Sequence, residues 1–326
     1  MTVFVTGGSG LIGSFLIPAL LDRGYAIKAS YRNHIPPVSG KERVQWLEGD
    51  ILDPLFLREA LQGVSYVFHC AGLVSYAPQD KDLLKQVNIE GTVNVVNACL
   101  EQGNVKLCHV SSIAAIGRPK GVAILTEKDK FDVAEEHSAY ASSKYFGELE
   151  VWRGISEGLK AVIVNPSVIL GPADWHRSST QLFKYVYNEK PFYTEGGANF
   201  VDVRDVAEAM LQLMFSDISG ERFILNAEQL SYKDFFTAVA KCFGKKAPGI
   251  KVPRGLAEVV WRAERVRTMF TGGRPLITKE TARITGKQHF FSNDKVLKAT
   301  GIGFRPVYDS VEWVCRELKN TAQKGG

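Results

Sequence analysis

No stretch of the 326-residue chain approaches the run of about 20 apolar residues that a membrane-spanning helix needs, so no membrane segment is expected. A charged-then-apolar leader is also missing, because "TVFVTGG" already reads as strand and turn from residue 2. Cysteine is scarce: Cys70, Cys99, Cys108, Cys242 and Cys315 are scattered, with no C-x-x-C and no metal-ligand spacing. Such a set fits reduced thiols in a cytoplasmic protein and gives no reason to expect a metal. There is no long basic block. The 40 basic and 35 acidic residues leave a formal charge of +5 spread along the chain, which argues against nucleic acid and for a local anion pocket. With 45% apolar and 23% charged residues, and no repeats or low-complexity segments, the composition is that of a globular protein too long for one small core.

What is present is alternation. "TVFVTG", "AIKASYR", "VSYVFHCAG", "KLCHVSS" and "KAVIVNPSVILGP" are short β-rich runs separated by helix-length amphipathic segments such as "LIGSFLIPALLDRG" and "TVNVVNACLEQG". That order is the signature of βαβ units on a parallel sheet, and near-continuous apolar runs such as "AVIVNPSVIL" fit strands buried on both faces. The expected fold is α/β: a Rossmann-type doubly wound parallel sheet carrying a smaller, mostly helical substrate lobe. Residues 1–172 and 198–230 are assigned to the dinucleotide-binding part, and 173–197 and 231–326 to the lobe. In the lobe, Trp175, Phe183, Tyr187 and Phe192 could form either an apolar substrate wall or lobe core. The stripe of Leu256, Val259, Val260, Ala263 and Val266, flanked by arginines, reads as packing rather than a membrane face.

Between the first strand and first helix, "TGGSGLIG" places Gly7, Gly10 and Gly13 where backbone can turn tightly and approach a pyrophosphate at a helix N-terminus. The spacing G-x-x-G-x-x-G differs from the standard fingerprint, but the strand, turn, helix context is the required one. The second strand ends in "KASYRN" with no acid for ribose hydroxyls. Arg32 there suits a 2′-phosphate, so NADP is favoured, with NAD possible. Asp50 in "GDILDP" could accept from an adenine amino group, and Asp53 could cap the following helix. "HVSSIAAIG" supplies Ser111 and Ser112 at a strand end, where ligands of such sheets bind. In "SAYASSKYFGE", Tyr140 and Lys144 stand one helical turn apart, where an ammonium would favour phenolate and lower the phenol's pKa. A hydroxyl donor, a phenol acid and an ammonium make a carbonyl site.

These motifs, with "HCAG" at 69–72, "NIEGT" at 88–92, "YASSK", "NPSVILGP" and "FVDVRDVA", resemble the extended short-chain dehydrogenase/reductases, also called the NAD-dependent epimerase/dehydratase family, over nearly the whole chain. The resemblance implies that Tyr140 is the proton donor or acceptor, that Lys144 tunes it and holds the nicotinamide ribose, and that Ser112 binds the substrate oxygen. It implies a place in the proton relay for Asn88, whose side chain could instead merely bridge backbone. Leu11, Ile12, Ile51, Ala71, Gly72 and Ser111 would join the glycines, Arg32 and Asp50 at the cofactor, with Pro166 and Val168 near the nicotinamide. His69 is taken as a strand-end residue without a catalytic role.

Ile113 and Ala114 stand where family dehydratases place acids, and Ala198 and Asn199 where nucleotide-sugar epimerases place an Arg-Asp pair. The wording is similar to the dihydroflavonol-reductase-like branch, which implies NADPH-dependent reduction of an aldehyde or ketone, a small-molecule carbonyl substrate. A nucleotide-sugar epimerase or 4-keto reductase, with Arg177 or Arg204 near the phosphates, and a non-catalytic cofactor sensor are the alternatives; sensors typically lose the Tyr or Lys kept here. By analogy the chain forms a homodimer through the helices carrying "NIEGT" and "YASSK".

Overall fold

The computed structural model describes residues 1–175, 179–253 and 289–324. The strands are β1 (Thr2–Thr6), β2 (Ala26–Tyr31), β3 (Val44–Glu48), β4 (Tyr66–His69), β5 (Lys106–Val110), β6 (Ile124–Leu125), β7 (Lys160–Pro166), β8 (Val168–Leu170), β9 (Phe192–Thr194), β10 (Gly197–Asp202), β11 (Glu221–Leu225), β12 (Glu228–Ser231), β13 (Ile250–Val252) and β14 (Phe290–Phe291). The helices are α1 (Leu11–Asp22), α2 (Pro54–Ala60), α3 (Lys81–Lys85), α4 (Gly91–Gln102), α5 (Ala139–Ser156), α6 (Thr180–Tyr187), α7 (Val203–Met214), α8 (Tyr232–Phe243), α9 (Asp294–Thr300) and α10 (Val307–Lys324).

Seven strands form one parallel sheet in the order β11-β7-β5-β4-β1-β2-β3, so the chain reverses its direction of winding between β1 and β4. Ligands of open α/β sheets bind at the carboxyl edge beside such a reversal. Alternation along β1 explains why the sheet needs helices on both faces: Val3 and Val5 enter a core with α1 and α7, while Phe4 enters another with α2, α4 and α5. As the sequence suggests, Asp53 caps α2, its Oδ1 accepting from the amides of Leu55 and Phe56 at 2.9 and 3.3 Å.

A third core joins Phe183, Phe235 and Val311 to Leu170 and Phe200, while β8, β10 and β12 make a small second sheet beneath it. Phe183 is fully buried there, Trp175 and Tyr187 pack on Phe243, and Phe192 is half exposed on β9. Phe183 and Trp175 therefore pack as lobe core, while Tyr187 lies exposed at its edge. Val296 and Ile302 return to the main sheet and join the core of α1 and α7. The stripe beginning at Leu256 lies outside the described residues.

His69 and His109, paired in register on β4 and β5, are both buried with ring centroids 5.1 Å apart. The His69 ring nitrogens meet the Thr6 and Thr92 hydroxyls at 2.8 and 3.0 Å, whereas neither nitrogen of His109 has a hydrogen-bond partner among the described residues. Burial, with the nearby Lys144 charge, pushes His69 down to about 3 and His109 well below the usual imidazole value. The unfolded chain takes up protons at these sites as pH falls through about 6.5 while the fold refuses them, so stability present above that pH is lost toward pH 3. Each such imidazole contributes a slope of up to about 1.4 kcal/mol per pH unit. Urea midpoints at pH 7 and pH 5 should therefore drop with acidification, and His109→Leu, which sacrifices no hydrogen bond, should make the drop shallower.

Candidate active site

The turn after β1 is built for close approach. Gly7 adopts φ +66°, and a Cβ there would lie 2.7 Å from the Ala71 amide nitrogen; a Cβ on Gly13 would lie 2.7 Å from the Gly7 and Gly8 carbonyls. Only glycine lets the turn, the end of β4 and the start of α1 meet this closely. Gly10 is the N-cap of α1 and brings no side chain, and the first turn carries no acid. The amides of Leu11, Ile12 and Gly13 have no helical acceptor and leave a positive dipole end open to an anion. The Ser30 side chain accepts from the Gly7 amide at 3.3 Å and ties the turn to β2. Just beyond β2, Arg32 is largely exposed and lies 3.7 Å from the Asp50 carboxylate, so the two residues expected at the adenosine end are neighbours.

Two of the residues expected at the cofactor make contacts within the protein. The Ile51 side chain is buried against Gly91, and its carbonyl accepts from Asn94 at 3.0 Å; both serve packing. The Ser111 hydroxyl points away from the cofactor edge and donates to the buried Glu148 carboxylate at 2.6 Å. Ser111 and Ser112 are consecutive in extended chain, so their side chains take opposite sides.

Ser112 lies two residues after β5, and Tyr140 lies in the first turn of α5, whose N-cap Ser138 accepts from the Ala141 amide at 2.9 Å. The phenol interacts with the Ser112 hydroxyl, and both residues are buried. Lys144 is buried on the same helix face and donates to the Val110 carbonyl at 2.7 Å. Asn88 sits in a π-helical turn, Gln86–Glu90, just before α4. Its Oδ1 accepts from the Leu73 amide at 2.8 Å, and its Nδ2 donates to the Leu73 carbonyl and the Ser143 hydroxyl, each at 2.9 Å. Its side chain thus bridges backbone. A Cβ on Gly72 would lie 3.3 Å from Asn88 Oδ1 and 3.8 Å from Lys144 Nζ, so the strand-end glycine opens the path from the glycine turn to the lysine. Pro166 is buried at the end of β7, with Val168 half-buried on β8.

The electrostatics depart from one expectation. The Tyr140 phenol is pushed up rather than down: burial raises it, the Ser112 hydrogen bond only partly offsets that, and the Lys144 ammonium is held on Val110. Lys144 itself is pushed down to about 8 by burial, against the opposing charge of Glu148. Burial also lifts the Cys70 thiol to about 12.

The sequence reading missed Glu148. It lies one turn beyond Lys144, 1% exposed, and accepts from Ser111, Asn165 (2.8 Å), Arg222 (2.9 Å) and Trp152 (3.3 Å). An acid on the inward face of a helix was the available signal. Arg204 is engaged, with Nε and Nη2 on the Asp202 carboxylate at 2.9 and 2.6 Å and its guanidinium 3.7 Å above the Trp313 ring. Asn199 is pinned to the His289 carbonyl at 2.8 Å, and Arg177 lies outside the described residues. Among the described residues all five cysteines are free, no His, Cys, Asp and Glu cluster could hold a metal, and no helix is long and apolar enough to cross a membrane.

A parallel sheet with a glycine-lined turn at its reversal and a buried Ser, Tyr and Lys beside it defines a dinucleotide-binding enzyme of the NAD(P)-dependent reductase and epimerase class. The sequence profile of the NAD dependent epimerase/dehydratase family matches residues 3–225, and the chain belongs to that family. A Synechocystis sp. protein with a provisional dihydroflavonol 4-reductase name is 29% identical over 95% of this chain and 93% of its own. Cinnamoyl-CoA reductase 1 of Petunia hybrida is 28% identical over 99% and 92%. Among solved structures, gox2253 superposes with TM-score 0.82 at 32% identity, covering 98% of each chain. UDP-glucose 4-epimerase of Thermotoga maritima, solved with UDP-glucose, shares the fold with TM-score 0.79 at 18% identity, over 99% of this chain and 100% of its own.

Close packing of α5 on the π-turn depends on Gly147, where a Cβ would stand 2.3 Å from the Asn88 carbonyl oxygen. Gly147→Ala should cost about 1–3 kcal/mol, as overpacking of a core does, read as a lowered urea midpoint.

Proposed function

We propose that the protein is an NADP(H)-dependent reductase of an aldehyde or ketone, with Ser112, Tyr140 and Lys144 as its catalytic residues. The observation that carries the reading is the burial of Ser112, Tyr140 and Lys144 together, with the phenol interacting with the Ser112 hydroxyl, at the sheet edge that bears the glycine turn. Two of the relatives are named as reductases, which supports the reaction type. When bound along the glycine turn, Ala71, Gly72 and Pro166 and Val168, the cofactor supplies hydride to the carbonyl carbon. Ser112 holds the carbonyl oxygen, and Tyr140 delivers the proton it needs. A phenol raised by burial stays protonated at neutral pH, as a proton donor must. The Lys144 ammonium steadies the charge left on the phenol, and Asn88 acts as a positioning residue through Leu73 and Ser143.

Arg32 supports NADP(H) over NAD(H), because an exposed guanidinium at the end of β2 matches a 2′-phosphate. The reading also takes the chain as a cytoplasmic homodimer. Phe146 and Leu149 leave about two-fifths of their surface exposed on the outer face of α5, an apolar face a second copy would cover, and sedimentation velocity measures this. Arg204 is committed to Asp202, which counts against its use on the phosphates of a nucleotide sugar.

Tyr140→Phe should lower turnover by about 10²–10⁴-fold while NADPH still quenches protein fluorescence; unchanged turnover would remove Tyr140 from the reaction. Because Lys144 loses its charge as pH rises through about 8, kcat/KM for reduction should fall above that value. A flat profile from pH 6 to pH 10 would show that the ammonium plays no part. Arg32→Ala should narrow the preference for NADPH over NADH, measured as the ratio of their dissociation constants.

A further inference from the structure

Arg118 stands six residues after Ser112, on the loop that leaves the candidate active site. Its guanidinium lies over the Phe291 ring, 5.7 Å from the centroid, and interacts electrostatically with Tyr76. The Tyr76 ring in turn meets the Tyr140 ring edge-on with centroids 5.5 Å apart. Arg118 is therefore one aromatic side chain removed from the phenol.

Among the described residues no carboxylate pairs with Arg118. Elsewhere in the chain Arg153, Arg204 and Arg222 each meet one at 2.9 Å or less. Arg118 is also exposed. An exposed cation that no described carboxylate neutralises attracts an anion. The guanidinium fork matches the oxygens of a carboxylate or phosphate, and the aromatic rings beside it suit a planar body between that group and the reacting carbonyl.

We propose that the substrate of this site carries an anionic oxygen group, a carboxylate or phosphate, and that Arg118 binds it, with Tyr76 and Phe291 flanking the segment between that group and the Tyr140 hydroxyl. The inference rests on the reductase reading for its reaction but not for its anion site. It sets the substrate class: an anionic aldehyde or ketone in preference to its neutral counterpart.

Two measurements on the full-length protein test it. In the first, NADPH-dependent reduction of 4-formylbenzoate and 4-formylphenyl phosphate is compared with that of neutral 4-formylbenzamide. At least one anion should be favoured by about 10- to 100-fold in kcat/KM, the size of a charged hydrogen bond. In Arg118→Ala that ratio should collapse toward one, and in Arg118→Lys part of it should remain. In the second, benzoate, phenyl phosphate and benzamide are titrated calorimetrically into the protein loaded with NADP. At least one anion should bind more tightly than benzamide and lose that advantage in Arg118→Ala. The relative response to carboxylate and phosphate tells which anion the site takes. Absence of reduction with every aldehyde defeats the reductase reading, and the calorimetric comparison then decides the anion site alone. An anion with no advantage over the amide, or an advantage that survives both Arg118→Ala and Arg118→Gln in proteins with unchanged melting curves, overturns the proposal.

Discussion

The candidate site depends on one buried carboxylate. Glu148 is withdrawn from water, and a carboxylate so placed is tolerable only when its oxygens are fully engaged. Its donors come from the end of β5 (Ser111), from β7 (Asn165), from β11 (Arg222) and from its own helix (Trp152). Three strands of the sheet are thereby tied to one rotational setting of α5. Lys144 is one turn away and Tyr140 two, so the setting that satisfies Glu148 also turns the lysine and the phenol toward the end of β5. Arg222 extends the same constraint outward by donating to the carbonyls of Glu127 and Asp129. Asp129 in turn receives the Gly117 amide at 3.2 Å, which fixes the loop that begins at Ser112. Helix and loop therefore share one reference, and the approach of Tyr140 to Ser112 is its product.

Glycines set how closely these parts can come. At Gly147 the helix rests on the Asn88 carbonyl, at Gly117 the loop rests on the Lys130 carbonyl, and at Gly7 the turn rests on the start of the Ala71–Gly72 segment. None of the three contacts would admit a Cβ without displacing backbone. Side-chain positioning comes from the Glu148 network and backbone positioning from these glycines, and neither suffices alone.

Most of the architecture was legible because it follows from periodicity. Runs such as "AVIVNP" are apolar on both faces and could only be inner strands, while the shared face of Tyr140 and Lys144 follows from helical spacing. The cap at Asp53 is local chemistry and was equally plain. What stayed hidden depends on partners distant in sequence. Two adjacent serines must point to opposite sides of an extended chain, but only the position of Glu148, 37 residues on, decides that Ser111 is the one turned away. The π-helical turn at Asn88 cannot be told from α-helix in "NIEGT". The direction of the Tyr140 shift was hidden for the same reason. Helical spacing puts an ammonium near the phenol, whereas the fold buries the phenol and holds the ammonium on Val110. Arg204 offered a diphosphate contact until its i−2 neighbour Asp202 engaged it on both arms.

The ionisable groups around Lys144 share one pattern. His69 and His109 are driven toward the neutral form, the Cys70 thiol is raised to about 12, and the Tyr140 phenol is raised as well. Burial is the main cause in each case, and for the two histidines the lysine's own charge adds to it. Around Lys144 these neighbours therefore stay neutral near neutral pH and do not compete with it as charges. Glu148 supplies the opposing charge that keeps Lys144 from falling below about 8, but Arg222 engages the same carboxylate. Burial nevertheless leaves the lysine near its titration point, where a small change in its surroundings alters its charge. Glu148 thus fixes the direction in which α5 faces and works against burial to keep a charge on the lysine that it presents.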